Sequence, residues 1–171
     1  MAATKLPDPR VGRVRAPDGY GFPTDADADA MLTWSAVDAL IGRARTYWLG
    51  TVGPAGRPYA TPLWAVWIDG VLWFDGMPAT RWARNFAANP AITFGLEADG
   101  VAVMLDGLVE DLETDVELGA RIVASWNAKY GHGAPMPVER GLFRLRPQTV
   151  RAWSEALSDG ARWTFGPEAA S

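Results

Sequence analysis

Thr80-Arg81 stands at the head of a run with helical periodicity, and that pair has the parts of an anion site. A helix start leaves amides unpaired, its dipole favours negative charge, and a guanidinium can grip a phosphate through two N–H groups. The same two residues equally describe an ordinary N-cap followed by a solvated arginine. Arg84 and Asn85, one turn on, either support such a site or close the helix. Asp106 and Glu110 fall on one face of a strand, but acid–base work by paired carboxylates needs burial, so they read as surface charges. His132, in Tyr130-Gly-His-Gly133, is the one histidine; its glycine neighbours make it a loop residue, with proton donation to a substrate as the alternative. With that single histidine and no cysteine, a histidine cluster for zinc, thiolate nucleophiles, disulfides and sulfur-ligated clusters are excluded. Thr61-Pro62-Leu63-Trp64 is strand-like, and Pro62 cannot donate to a ladder, which marks an edge, a bulge or an opening to ligand.

The elements that must position these residues follow from spacing. Thr33 caps a short amphipathic helix carrying Trp34, Val37, Leu40 and Ile41 through about Ala44. Tyr47–Val52 is a strand, Pro54-Ala-Gly56 a turn, and Arg57–Ile68 a second strand rich in β-branched and aromatic residues. Asp69-Gly70 is a two-residue hairpin turn into Val71–Phe74, completing a meander. Thr80 caps a helix over Arg81 to about Ala88, closed by Asn89-Pro90. Ala91–Leu96 and Val101–Leu112 are the fourth and fifth strands, joined at Asp99-Gly100, with Gly107 as a bulge or barrel bend. Thr114–Tyr130 is a helix ending at Gly131. Leu142–Arg146 and Thr149–Trp153 make a sixth strand bent at Pro147, and Ala161–Phe165 is a short terminal strand.

At 171 residues and 49% hydrophobic the chain holds one core of real size. The spacing therefore predicts a mainly β protein, six antiparallel strands with two or three helices, closed as a barrel to remove its edges. Residues 1–30, with four prolines and the repeat Asp25-Ala-Asp-Ala-Asp29, lack apolar periodicity and are expected to form a disordered or extended arm before a single domain over 31–171. A net charge of −4 offers no basic field for nucleic acid, and no cationic amphipathic stretch suits a membrane. Met1–Arg15 has no apolar run of signal length, so a cytoplasmic location is expected. Nine tryptophans are many for this length and imply a pocket or a subunit interface.

The run Trp48-Leu-Gly-Thr-Val-Gly-Pro-Ala-Gly-Arg-Pro-Tyr-Ala-Thr-Pro-Leu-Trp64 resembles the first hairpin of pyridoxamine 5'-phosphate oxidase-like split-barrel proteins. Asp69-Gly-Val-Leu-Trp-Phe-Asp75 and Thr80-Arg-Trp-Ala-Arg-Asn-Phe-Ala-Ala-Asn-Pro90 continue it, resembling that family's third strand and the short helix that holds a cofactor phosphate. The Asn127-Ala-Lys-Tyr130 helix end and Ala161-Arg-Trp-Thr-Phe165 are similar to its flavin and deazaflavin oxidoreductases, many of which use coenzyme F420 in place of FMN. The resemblance implies the FMN-binding split-barrel fold, a homodimer with its site between subunits, and cofactor contacts at Thr61, Pro62, Leu63, Trp64, Asp75, Gly76, Thr80, Arg81, Trp82 and Asn85, with Trp153 closing the site across the interface. Asp75 is otherwise a turn-starting residue and Trp153 core filling beside Trp163. Trp82 stands where the family often has a second cation, and its ring either stacks on a ligand or packs in the core. The activity implied is hydride transfer between F420 and an unsaturated small organic substrate, with FMN as the alternative cofactor and a non-catalytic carrier or sequestering protein as the alternative class. Pyridoxamine phosphate oxidation is disfavoured, because no further basic cluster is present for that substrate's own phosphate.

Overall fold

Strict alternation sets the walls of the molecule. In β2 (Tyr47–Val52) the side chains of Tyr47, Leu49 and Thr51 are buried while Trp48 and Val52 face outward. β6 (Ala91–Ala98) does the same with Ile92, Phe94 and Leu96 inward. This is a computed structural model, describing residues 8–17, 19–20, 22, 30–111, 116–131 and 141–166. The other elements are β1 (Arg10–Arg13), α1 (Trp34–Arg43), β3 (Pro58–Leu63), β4 (Ala65–Ile68), β5 (Val71–Asp75), α2 (Arg81–Ala88), β7 (Val101–Asp111), α3 (Val116–Tyr130), β8 (Leu142–Ser154) and β9 (Ala161–Thr164).

All pairings are antiparallel, in the order β1-β9-β8-β7-β6-β2-β3, with β5 joining β8 to β4. β3 runs into β4 across the single residue Trp64, so the path β4-β5-β8-β7-β6-β2-β3 returns on itself through the covalent chain. The result is a six-stranded split barrel in which the expected second strand, Arg57–Ile68, serves two partners: its first half pairs with β2 and its second with β5. The long β8 likewise pairs with β5 through Leu142–Leu145 and with β9 through Thr149–Ala152. The count of nine strands among the described residues exceeds six because that strand breaks at Trp64 and because β1 and β9 add an annex. Within the stretch expected to be a disordered or extended arm, Arg10–Arg13 is an extended strand paired with Ala161–Thr164, and Phe22 packs edge-on against Trp153. A four-residue edge strand whose side chains are mostly exposed leaves no apolar period in the sequence to announce it.

Both Asp-Gly hairpins form as expected, with Asp69 and Asp99 at φ 53° and 52° and each following glycine also left-handed. The ladder between β7 and β8 shifts register at Asp106/Gly107, opposite Pro147. A Cβ at Gly107 would lie 2.5 Å from the Arg146 carbonyl, so only glycine lets the strands close over that bulge. The main core fills the barrel and takes Val37, Leu40 and Ile41 from α1 and Trp82, Ala83 and Phe86 from α2. A second, smaller core forms where α3 lays Leu118, Ile122, Trp126 and Tyr130 over Val66, Ile68, Val71 and Trp73. Among the described residues no helix is long and apolar enough to cross a membrane.

Candidate functional site

The start of α2 is built as the sequence suggests. Thr80 is the N-cap, its hydroxyl accepting from the Ala83 amide at 3.3 Å, and the Arg84 amide donates to the Thr80 carbonyl at 3.1 Å. The helix offers no acceptor to the Arg81 and Trp82 amides. The Arg81 side chain is exposed, and its guanidinium carbon lies 4.7 Å from the centre of the Tyr59 ring on β3. That contact holds the cation against β3 without spending its N–H groups on a carboxylate. Tyr59 was not among the residues expected here; its alternation with Thr61 and Leu63 on one face of β3 is the signal that could have found it.

Asn85 closes the arrangement from behind. It is 4% exposed, and its Nδ2 donates to Thr51 Oγ1 at 3.0 Å, tying α2 to β2. The bond ties the two elements together and leaves the Asn85 amide buried beneath the first turn of α2. Trp82 points the other way. At 6% exposure it packs among Phe74, Phe86 and Phe143, with ring centres 5.5 to 6.1 Å apart. Gly76 accommodates it: a Cβ there would sit 2.3 Å from Trp82 Cζ2. Trp82 thus belongs to the core, its rings used on both sides by neighbours, and Gly76 is a glycine because of it. Asp75 ends β5 half-buried, and desolvation raises its carboxyl above the usual range. Arg84 turns back to the Ala79 carbonyl at 2.7 Å.

Along β3 the side chains of Tyr59, Thr61 and Leu63 share the face of Leu49, while Pro58, Ala60 and Pro62 are exposed. Hydrogen bonding of Gly53 to Arg57 at the hairpin sets the parity, so the backbone groups of Pro58, Ala60 and Pro62 point to the strand's far edge. β3 has no strand partner on that edge among the described residues, and the two prolines delete donors there. Ala60 N–H and three carbonyls remain for a ligand. Trp64, at the β3–β4 break, stacks on Tyr130 with centres 5.0 Å apart and planes 12° apart.

Trp153 is not brought to this place. It lies ten residues along β8 from Phe143, roughly 30 Å away at the usual rise, beside Phe22. His132 lies outside the described residues. Asp106 and Glu110 make ion pairs on the outer face, with Arg151 at 2.6 Å and with Arg144, as surface charges do. On that same face an open groove of about 710 Å³ crosses β3, β2, β6 and β7, near exposed Trp48, Val52 and Leu108.

No curated protein matches the chain. Among solved structures, a conserved hypothetical protein from Mycobacterium tuberculosis is 24% identical with a TM-score of 0.64, the match covering 78% of this chain and 92% of that one. A structure described as an F420 reductase is 27% identical with a TM-score of 0.54, covering 66% of this chain and 94% of its own. The heme storage protein HutZ of Vibrio cholerae is 22% identical with a TM-score of 0.56, covering 68% and 91%. The family model described as pyridoxamine 5'-phosphate oxidase matches residues 33–154, from the cap of α1 to the end of β8, and to that family the chain belongs.

Proposed function

We propose that this protein is an oxidoreductase that transfers a hydride between coenzyme F420 and an unsaturated small organic substrate, working as a homodimer in the cytoplasm. The observation that carries the reading is the start of α2: the residue that leads the helix, Arg81, is exposed with its guanidinium over Tyr59 at the start of an open strand edge, and the helix offers no acceptor to its first two amides. These residues fit a single phosphate group. From Tyr59 to Leu63 the edge runs roughly 13 Å at the usual rise, long enough to lay a tricyclic ring along Thr61–Trp64 with its phosphate on Arg81.

When bound, the cofactor supplies the hydride chemistry, so the chain need only bind, orient and exclude water. Arg81 and the first amides of α2 hold the phosphate, and the Ala60 amide with its neighbouring carbonyls offers in-plane partners for ring heteroatoms. Asp75, its carboxyl raised by burial, lies at the end of the strand next to Gly76. FMN is the second reading, and burial of Trp82 weighs against it, since that position supplies no second cation. The homodimer reading is supported by the apolar outer face, where Trp48, Val52 and Leu108 are exposed; in such a dimer Trp153 of a second copy would be the one to close the site. Likeness to a heme storage protein keeps a non-catalytic carrier in view, and turnover separates that class from an enzyme.

Fluorescence titration with F420 and with FMN tests the reading. Arg81→Ala should weaken binding about tenfold or more, the ~1.5–3 kcal/mol of a hydrogen bond to a charged group. Unchanged affinity would remove the phosphate site and, with it, the placement of the ring.

A further inference from the structure

Tyr47 and Leu63 form the last rung between β2 and β3, and continuing that register would set Arg45 opposite Ala65. The rung is replaced by a side chain. The Tyr130 hydroxyl, from the last residue of α3, accepts from the Ala65 amide at 3.0 Å and lies 2.9 Å from the Ala65 carbonyl and 3.1 Å from that of Arg45. Lys129 Nζ donates to Tyr47 Oη at 2.7 Å and to the Ala65 carbonyl at 3.0 Å. It also sits 4.8 Å and 5.6 Å from the ring centres of Tyr47 and Tyr130. Tyr47 donates onward to the Ile41 carbonyl of α1, and the Arg45 guanidinium covers Tyr130 at 5.3 Å while donating to the Lys129 carbonyl. The seam of the barrel is therefore held apart by side chains from a helix outside it.

We propose that Tyr130 and Lys129 are positioning residues: the hydroxyl wedges the seam between β2 and β4, the ammonium holds the wedge, and together they set the course of the Thr61–Trp64 strand against which a planar cofactor ring lies. This rests on the reading that the ring occupies that strand. Trp64 stacks directly on Tyr130, so any movement of the wedge reaches the strand through that side chain as well as through Ala65.

An ammonium is a poor choice for stability alone. The charged and titratable groups facing it are Arg45 ahead of β2, Tyr47 from β2 and Tyr130 from α3, while β4 presents the Ala65 carbonyl and the Ile41 carbonyl of α1 takes the Tyr47 hydroxyl; no carboxylate of the described residues pairs with it. Burial, with Arg45 adding repulsion, lowers its pKa to about 8, and the two hydroxyls, pushed up by burial, stay neutral. Two pH effects of opposite sign follow. As pH rises through about 8 the amine loses its charge, the contacts to the rings lapse, and cofactor affinity falls. The folded chain meanwhile binds fewer protons than the unfolded one, where lysine titrates near 10.5, so stability rises between about pH 8 and that value. A lysine with a merely structural role would not move the two in opposite directions.

The experiment titrates the full chain with F420 and FMN from pH 7 to pH 9.5, records melting temperatures, and follows amide exchange at residues 61–66 in the unliganded protein. Wild type should lose about five- to tenfold in affinity across pH 8, a loss on the order of 1 kcal/mol. Lys129→Met should bind like high-pH wild type throughout while melting no lower at pH 7. Tyr130→Phe should speed exchange at residues 61–66 about tenfold, by opening the Ala65 amide; should it fail to fold, Lys129→Met, which keeps the hydroxyl, still decides. Wild-type affinity, pH profile and exchange in Lys129→Met would overturn the wedge, and with weakened binding in Arg81→Ala the cofactor reading would stand without it. Failure of wild type to bind either cofactor overturns both.

Discussion

Replacing Trp82 by lysine tests whether the α2 site can be given a second cation. On resemblance alone Trp82→Lys restores a phosphate contact and tightens FMN. The packing reverses that expectation: Trp82 is 6% exposed, wedged between Phe74, Phe86 and Phe143, with its six-membered ring over Gly76. Removing a buried indole costs about 3–5 kcal/mol, and a lysine stem refills only part of the volume. The ammonium must then either stay unpaired among three phenyl rings or pull its stem out toward the helix start, and both add to the loss. At about 2–4 °C per kcal/mol for a chain of this size, the melting temperature should drop by roughly 6–20 °C. Differential scanning calorimetry measures the drop, and titration of the same sample with FMN reads the affinity. A variant that melts within about 2 °C of wild type and binds FMN more tightly would refute the argument, showing that this position opens to the ligand.

Two further outcomes follow from the annex and the outer face. Deleting residues 1–28 removes β1 with its rungs to β9 and the Phe22 contact to Trp153, so the melting temperature should fall by several degrees, from a loss of about 1–3 kcal/mol; an unchanged value would mean that β1 adds nothing to the fold. Light scattering at micromolar concentration should give twice the 18.5 kDa chain mass, and Leu108→Arg, on the exposed outer face, should shift it toward the monomer. A wild-type monomer would overturn the proposed interface, and with it the proposed role of Trp153 from a second copy.

Period and punctuation carried most of the architecture. Inward alternation of Tyr47, Leu49 and Thr51, the two Asp-Gly turns, the Thr33 and Thr80 caps and Gly107 at the bulge are all local devices, and each acts in the structure as its residue type dictates. Pro62 also declared its edge, because a missing N–H is a property of the residue wherever it sits. What sequence could not decide is direction in three dimensions. Trp82 follows Arg81 by one position, so a helix turns it about 100° away, and only the core's demand for an aromatic over Gly76 determines that it points inward. Arg57–Ile68 reads as one strand, since nothing in its alternation shows that its two halves serve different partners. The break at Trp64 is set from a distance, by a tyrosine hydroxyl that arrives from the end of α3, 65 residues on from Ala65. A long-range contact of that kind leaves no local period, and that is why the barrel was legible in the chain while its seam, and the direction each site residue faces, came only with the tertiary structure.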